Sequence, residues 1–145
     1  MKISTKGRYA LRMMIDLAVY GEENRVSLKD ISTRQEISVK YLEQIAAVLT
    51  KAGYITGTRG AQGGYMLARA PADYRVGDIL RITEHSLAPV TCLEDGSAQC
   101  ARCDSCSTVG FWKGLYQAVT DYVDSVTLKD MAEEQKQLGG NAHVI

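Results

Sequence analysis

No apolar run in this 145-residue chain approaches the roughly 20 residues that a membrane helix needs, which excludes a helical membrane span. The opening MKISTKGRYALRMM lacks the compact apolar stretch and small-residue cleavage site of a signal peptide, so a cytoplasmic protein is expected. Histidine is scarce, with two residues, and there is neither a pair of catalytic carboxylates nor a phosphate loop. That leaves little with which to build an enzyme, and none is expected. Internal repeats and low-complexity segments are also missing. Cysteine is absent everywhere except one stretch: Cys92, Cys100, Cys103 and Cys106, the only four, fall within fifteen residues of a polar segment. In a reducing compartment such clustering speaks for metal binding or redox chemistry ahead of structural disulfides.

What is present is globular in character. The composition is 46% hydrophobic and 23% charged, and the length suits one domain of ordinary size or a small domain with an assembly element. The formal net charge is zero, yet residues 1–75 carry twelve Lys and Arg against seven Asp and Glu, and residues 76–145 carry five against ten. A basic N-terminal half points toward nucleic acid.

Helical spacing of Leu11, Met14, Ile15 and Ala18 predicts a helix over 5–20, stopped by Gly21. Ser27 caps a short second helix with Asp30 three positions on, and Ser38 caps a third from Val39 to Lys51, ending at Gly53. Tyr54-Ile55 and Tyr65-Met66-Leu67 flank a segment with four glycines, the pattern of a hairpin with a long tip. A helix over about 76–85, the cysteine loop and a last long helix follow. In that helix Trp112, Val119 and Val126 stand seven apart, with Leu115, Tyr116, Tyr122 and Val123 between them. This seam predicts a dimerisation helix, the alternative being packing back on its own domain. The tail from Gln135 onward reads as frayed.

Three short helices followed by a glycine-tipped hairpin describe a winged helix-turn-helix, in which the third helix enters the major groove of double-stranded DNA. Its wheel turns Leu42, Ile45, Ala46 and Leu49 inward and Lys40, Glu43, Gln44, Ala47 and Lys51 outward. Gln44 can contact adenine at two points and Glu43 can accept from cytosine, while Lys40 and Lys51 suit phosphates. At the wing, Arg59 among glycines is shaped for a narrow minor groove, where negative potential is enhanced. The expected DNA-contacting set is Lys40, Tyr41, Glu43, Gln44 and Lys51 of the helix with Arg59, Gly60, Gly63 and Gly64 of the wing.

The two-residue gaps of Cys100, Cys103 and Cys106 are those that open a bacterial ferredoxin loop, and Cys92 can supply a fourth thiolate. Four cysteines also satisfy a tetrahedral zinc site, so the spacing leaves iron-sulfur and zinc both open.

The opening MKISTKGRYAL, the YLEQI of residues 41–45 and the wing RGAQGGYML of residues 59–67 resemble the Rrf-type family of bacterial regulators, and the likeness runs from Met1 to about residue 130. Members of that family include IscR, NsrR, RirA and CymR. The resemblance implies a homodimeric winged-helix transcription regulator with Lys40, Glu43 and Gln44 facing bases and Arg59 in the minor groove. It also implies a cluster, [2Fe-2S] or [4Fe-4S], on three cysteines of this loop. Cys92, Cys100 and Cys106 match the RirA-like spacing, and Cys103 is extra to it, a candidate fourth ligand. The IscR-like histidine position holds Val109, and the NsrR-like acidic position holds Arg8. The CymR branch, similar in the N-terminal half, has no cluster and senses through a partner enzyme.

The expected fold is therefore mainly α with a small β-hairpin wing. Residues 1–75 form the winged helix-turn-helix, 76–107 a short helix and cluster loop, 108–130 the dimerisation helix and 131–145 a tail. The expected function is a DNA-binding transcriptional regulator sensing iron-sulfur, redox, nitric oxide or iron status through that cluster. The alternatives are a CymR-like repressor of cysteine metabolism, a zinc-stabilised regulator, and, from another class, a small electron carrier.

Overall fold

The computed structural model describes residues 1–96, 102 and 104–142, with backbone alone for 140–142. Among these the chain forms α1 (Thr5–Tyr20), α2 (Leu28–Gln35), α3 (Val39–Lys51), β1 (Ile55–Thr58), β2 (Gly64–Leu67), α4 (Val76–Thr83), α5 (Val109–Ser125) and α6 (Leu128–Ala142). The fold is mostly helical with one antiparallel hairpin, pairing Ile55 with Leu67 through Thr58 with Gly64.

Local chemistry sets the helix ends. The hydroxyls of Ser4, Ser27 and Ser38 accept from the backbone N–H of Gly7, Asp30 and Tyr41, satisfying one orphan donor at each N-terminus. At the end of α3, Tyr54 N–H donates to Leu49 O at 2.9 Å and Gly53 N–H to Thr50 O at 3.0 Å, the paired closure of a Schellman turn. Between α2 and α3, Glu36 adopts φ 55, the only positive φ among the described non-glycine residues.

The core forms around α1, which packs against α2, α3, α4, α6 and β2. Met13, Met14 and Leu17 of α1 meet Ile31, Leu42, Ile45, Leu49, Ile55, Tyr74, Ile79 and Leu128 in one buried cluster. Each such side chain contributes about 1.5–3 kcal/mol on leaving water. A second, smaller cluster joins Val76, Leu80 and Leu87 to Tyr116, Val123 and Val126.

The C-terminal region departs from the sequence expectation. The helix read through residue 130 stops at Ser125, and a second helix occupies much of the stretch read as a tail. The break is chemical: Thr127 N–H donates to Asp130 Oδ2 and Asp130 N–H to Thr127 Oγ1, a reciprocal capping box that starts α6. Leu128 and Ala132 then bury against the α1 core.

Candidate nucleic-acid interface and cysteine loop

Helix α3 presents two chemically distinct faces. Leu42, Ile45, Ala46 and Leu49 are all 0% exposed. Lys40, Glu43, Gln44, Ala47 and Lys51 lie on the solvent side. None of the side chains of Lys40, Glu43, Gln44 and Lys51 hydrogen-bonds or ion-pairs with another described residue, so their polar groups are available to an external partner. Tyr41 differs: it is half-buried and sits edge-on to Tyr9 of α1, ring centroids 5.6 Å apart.

A charged network fixes this helix-turn-helix on α1. Asp16, 1% exposed, accepts from Arg34 Nε at 2.9 Å and from its terminal nitrogen at 2.8 Å, and from Gln35 Nε2 at 3.1 Å. Three charge-assisted bonds compensate the desolvation of that carboxylate. The Asp16 carboxylate raises the Arg34 guanidinium above its ordinary value, chiefly through the hydrogen bond. Arg34 also lies 4.0 Å from the Tyr20 ring centre, and Arg12 donates to Gln35 O and to Gln35 Oε1. The α2–α3 turn is thus anchored from two positions on α1.

The wing is built beside it. Val26 pairs with Tyr65 through both backbone bonds at 2.8 Å, adding a third edge to the hairpin. Gly64, at φ +134, lies against this edge, and an added Cβ would sit 2.7 Å from Val26 O. At the tip, Gly63 N–H donates to Gly60 O at 2.9 Å, and a Cβ on Gly63 would lie 2.2 Å from Thr58 O. Both positions therefore require glycine. Arg59 is exposed and bonds no other described residue. At the base, the buried Tyr74 hydroxyl accepts from Ala68 and Arg69 N–H and donates to Tyr54 O at 2.7 Å. Arg69 stacks over both tyrosine rings, 4.9 and 4.8 Å from their centres.

The cysteine loop leaves the end of α4. There Glu84 Oε1 accepts from Ser4 N–H at 2.7 Å and Ser4 Oγ at 2.9 Å, joining the loop's origin to the start of α1. Cys92 is exposed within the short 3-10 turn Thr91–Leu93. Cys106 lies just before α5, its sulfur 3.4 Å from Thr108 Oγ1. That hydroxyl, then the backbone N–H groups of Thr108 and Val109, hold the Cys106 thiol below its ordinary value. Two solvent-accessible thiols, one lowered from its ordinary value, are donor chemistry that fits a cysteine-ligated cluster or zinc. Cys100 and Cys103 lie outside the described residues, among which no group of three metal-ligating side chains converges.

Helix α5 follows, and α4 grips it. Arg81 bonds Asp124 at 2.8 and 3.0 Å and Asp78 at 3.2 Å. Hydrogen bonding to Arg81 holds the Asp124 carboxyl below the usual range. The predicted seam is divided. Tyr116, Val123 and Val126 pack inward on α4, while Tyr122 remains 71% exposed, and Phe111, outside the predicted seam, is 67% exposed.

A family model described as an iron-dependent transcriptional regulator, Rrf2, matches residues 3–134. The chain belongs to the Rrf2 family. It is 44% identical over 142 residues to protein rrf2 of Nitratidesulfovibrio vulgaris, covering 98% of this chain and 94% of that protein. It is 35% identical over 138 residues to the transcriptional regulator IscR of Pectobacterium carotovorum, covering 95% and 83%. Among solved structures, CymR of B. subtilis, described as the global cysteine regulator, superposes with TM-score 0.77 at 40% identity over 92% of this chain and 98% of that one. IscR of T. potens does so with TM-score 0.76 at 42% identity over 95% and 90%. The Rrf2-family chain is thus a winged-helix, DNA-binding transcriptional regulator and not an enzyme.

Several residues that position this Rrf2-family interface went unread in the sequence. Asp16 is one, although an acid among Met13, Met14, Leu17 and Ala18 signals a buried partner cation. Tyr74 and Glu84 gave no local signal, because their partners lie at the wing base and at the start of α1.

Proposed function

We propose that this regulator is a cytoplasmic homodimer whose DNA affinity or site choice depends on an iron-sulfur cluster held by Cys92, Cys100, Cys103 and Cys106. The observation that carries this reading is the position of the loop, between an α4 end bonded to the start of α1 and an α5 that begins beside Cys106. When bound, a cluster supplies a cross-link between thiolates that is sensitive to oxidants, nitric oxide and iron supply. The chain's own residues do the rest. Thr108 and the first N–H groups of α5 hold the Cys106 thiol below its ordinary value, and the Arg81–Asp124 pair carries the orientation of α5 to α4. The exposed Phe111 and Tyr122 face supports pairing with a second copy, which sets the spacing of two recognition helices about one helical turn apart. On DNA, Glu43 and Gln44 read base edges, Lys40 and Lys51 meet phosphates, Tyr41 braces the helix and offers its hydroxyl, and Arg59 enters the minor groove over Gly60, Gly63 and Gly64.

The deciding experiment is purification without oxygen, followed by the visible spectrum, iron and sulfide content, and DNA affinity with and without the cluster at one salt concentration. A brown, sulfide-containing protein with different holo and apo affinities is expected. Equal affinity for every target sequence overturns the reading. The likeness to CymR favours a second reading, a repressor of cysteine metabolism acting through a partner protein. A colourless protein without sulfide supports that reading, and a colourless protein containing zinc supports a zinc-stabilised regulator.

A further inference from the structure

We propose that Gln62 is a second reader in the wing and that it recognises the exocyclic amino group of guanine in the minor groove. This rests on the reading that the wing enters that groove. The turn closed by Gly63 N–H on Gly60 O puts Ala61 and Gln62 at the apex, beyond the last hairpin pair of Thr58 with Gly64. Both apex residues are exposed, and the Gln62 amide bonds no other described residue. Glycine at 60, 63 and 64 and a single methyl at Ala61 keep side-chain bulk off this apex, as close approach to a groove about 6 Å wide requires. Gln62 is then the long side chain at the front of the wing.

Its chemistry differs from that of Arg59. A guanidinium only donates, so it suits the acceptors that every base pair shows in the minor groove. A carboxamide donates through Nε2 and accepts through Oε1. The one donor in the minor groove is the guanine N2 amino group, and Gln62 is the side chain in residues 59–63 that carries an acceptor able to meet it. Arg59 therefore reads groove width and potential, and Gln62 reads a G·C pair beside it.

The test uses duplexes that the full-length protein selects from a randomised pool. Inosine, which is guanine without the amino group, replaces each guanine in turn, and affinity is measured by fluorescence anisotropy at one salt concentration. At one minor-groove position, inosine should weaken binding about three- to tenfold, the worth of one hydrogen bond. The Gln62→Ala protein should bind guanine and inosine duplexes alike, and Gln62→Arg should move the preference there from G·C to A·T. An inosine effect that persists in Gln62→Ala overturns the proposal, as does a selected pool with no guanine at that position. If inosine is silent while Arg59→Ala weakens binding, the wing reads the groove without Gln62. If both are silent, the wing is not in the groove, and both readings fall. An unchanged urea midpoint for Gln62→Ala, expected for an exposed side chain without bonds, shows that folding is not the cause.

Discussion

Helices α3 and α5 are both amphipathic, yet they stand in opposite relations to the rest of the chain. Every inward apolar side chain of α3, from Leu42 to Leu49, is fully buried, and its outer face is polar and unbonded. No residue of α5 is buried, and its outer face carries Phe111 and Tyr122. The first helix is complete within one chain and presents a polar face to solvent. The second is half complete, with its inner side on Val76, Leu80 and Leu87 and an apolar side left over.

The sharpest way to break that contrast is truncation. Ile45→Ala should lower the free energy of unfolding by about 2–5 kcal/mol in urea titrations. The double change Phe111→Ala, Tyr122→Ala should leave unfolding nearly unchanged at low protein concentration and dissociate the proposed dimer in sedimentation; comparable losses of stability from both would erase the distinction. Asp16→Ala, which strands Arg34 between α1 and α2, should cost about 2–3 kcal/mol, less than a fully buried pair because Arg34 reaches solvent. A loss below the noise of the titration would show that the α1–α2 anchor is dispensable. Ser38→Ala removes the cap of α3 and should cost about 1 kcal/mol.

The smallest effect belongs to the α4–α5 grip. Asp124 has a folded pKa below its unfolded one, so its pair with Arg81 contributes fully at neutral pH, above an unfolded value of about 3.9. That contribution disappears as the pH falls through the folded value. Asp124→Asn should lower stability at pH 7 by less than about 1 kcal/mol, and the difference from the parent should vanish as the pH falls through the folded value, in thermal melts followed by circular dichroism. A constant difference across pH would assign the effect to packing.

The DNA-reading half was legible because its signals are local. Ser27 and Ser38 announced the helices that start at the very next residue, the period of α3 separated its faces, and the glycines of the wing marked the tip. The C-terminal half was misjudged for a physical reason. Trp112, Val119 and Val126 keep a seven-residue interval straight through the end of α5, so periodicity ran across a break that the Thr127–Asp130 cap makes. The network of Asp16, Arg34 and Gln35 and the Val26–Tyr65 pairing join positions far apart in the chain, where no spacing rule reaches. The cysteine set was read from spacing, and two of its members lie outside the described residues.

One hydroxyl group has a bearing on how quickly and at what entropic cost this protein settles on a duplex. Tyr74 holds both strands of the wing at their base, with three hydrogen bonds from a single oxygen. The freedom of the hairpin is therefore surrendered once, during folding, and not again at each encounter. A wing with a loose base would have to be ordered on binding; this one is already set in the free protein.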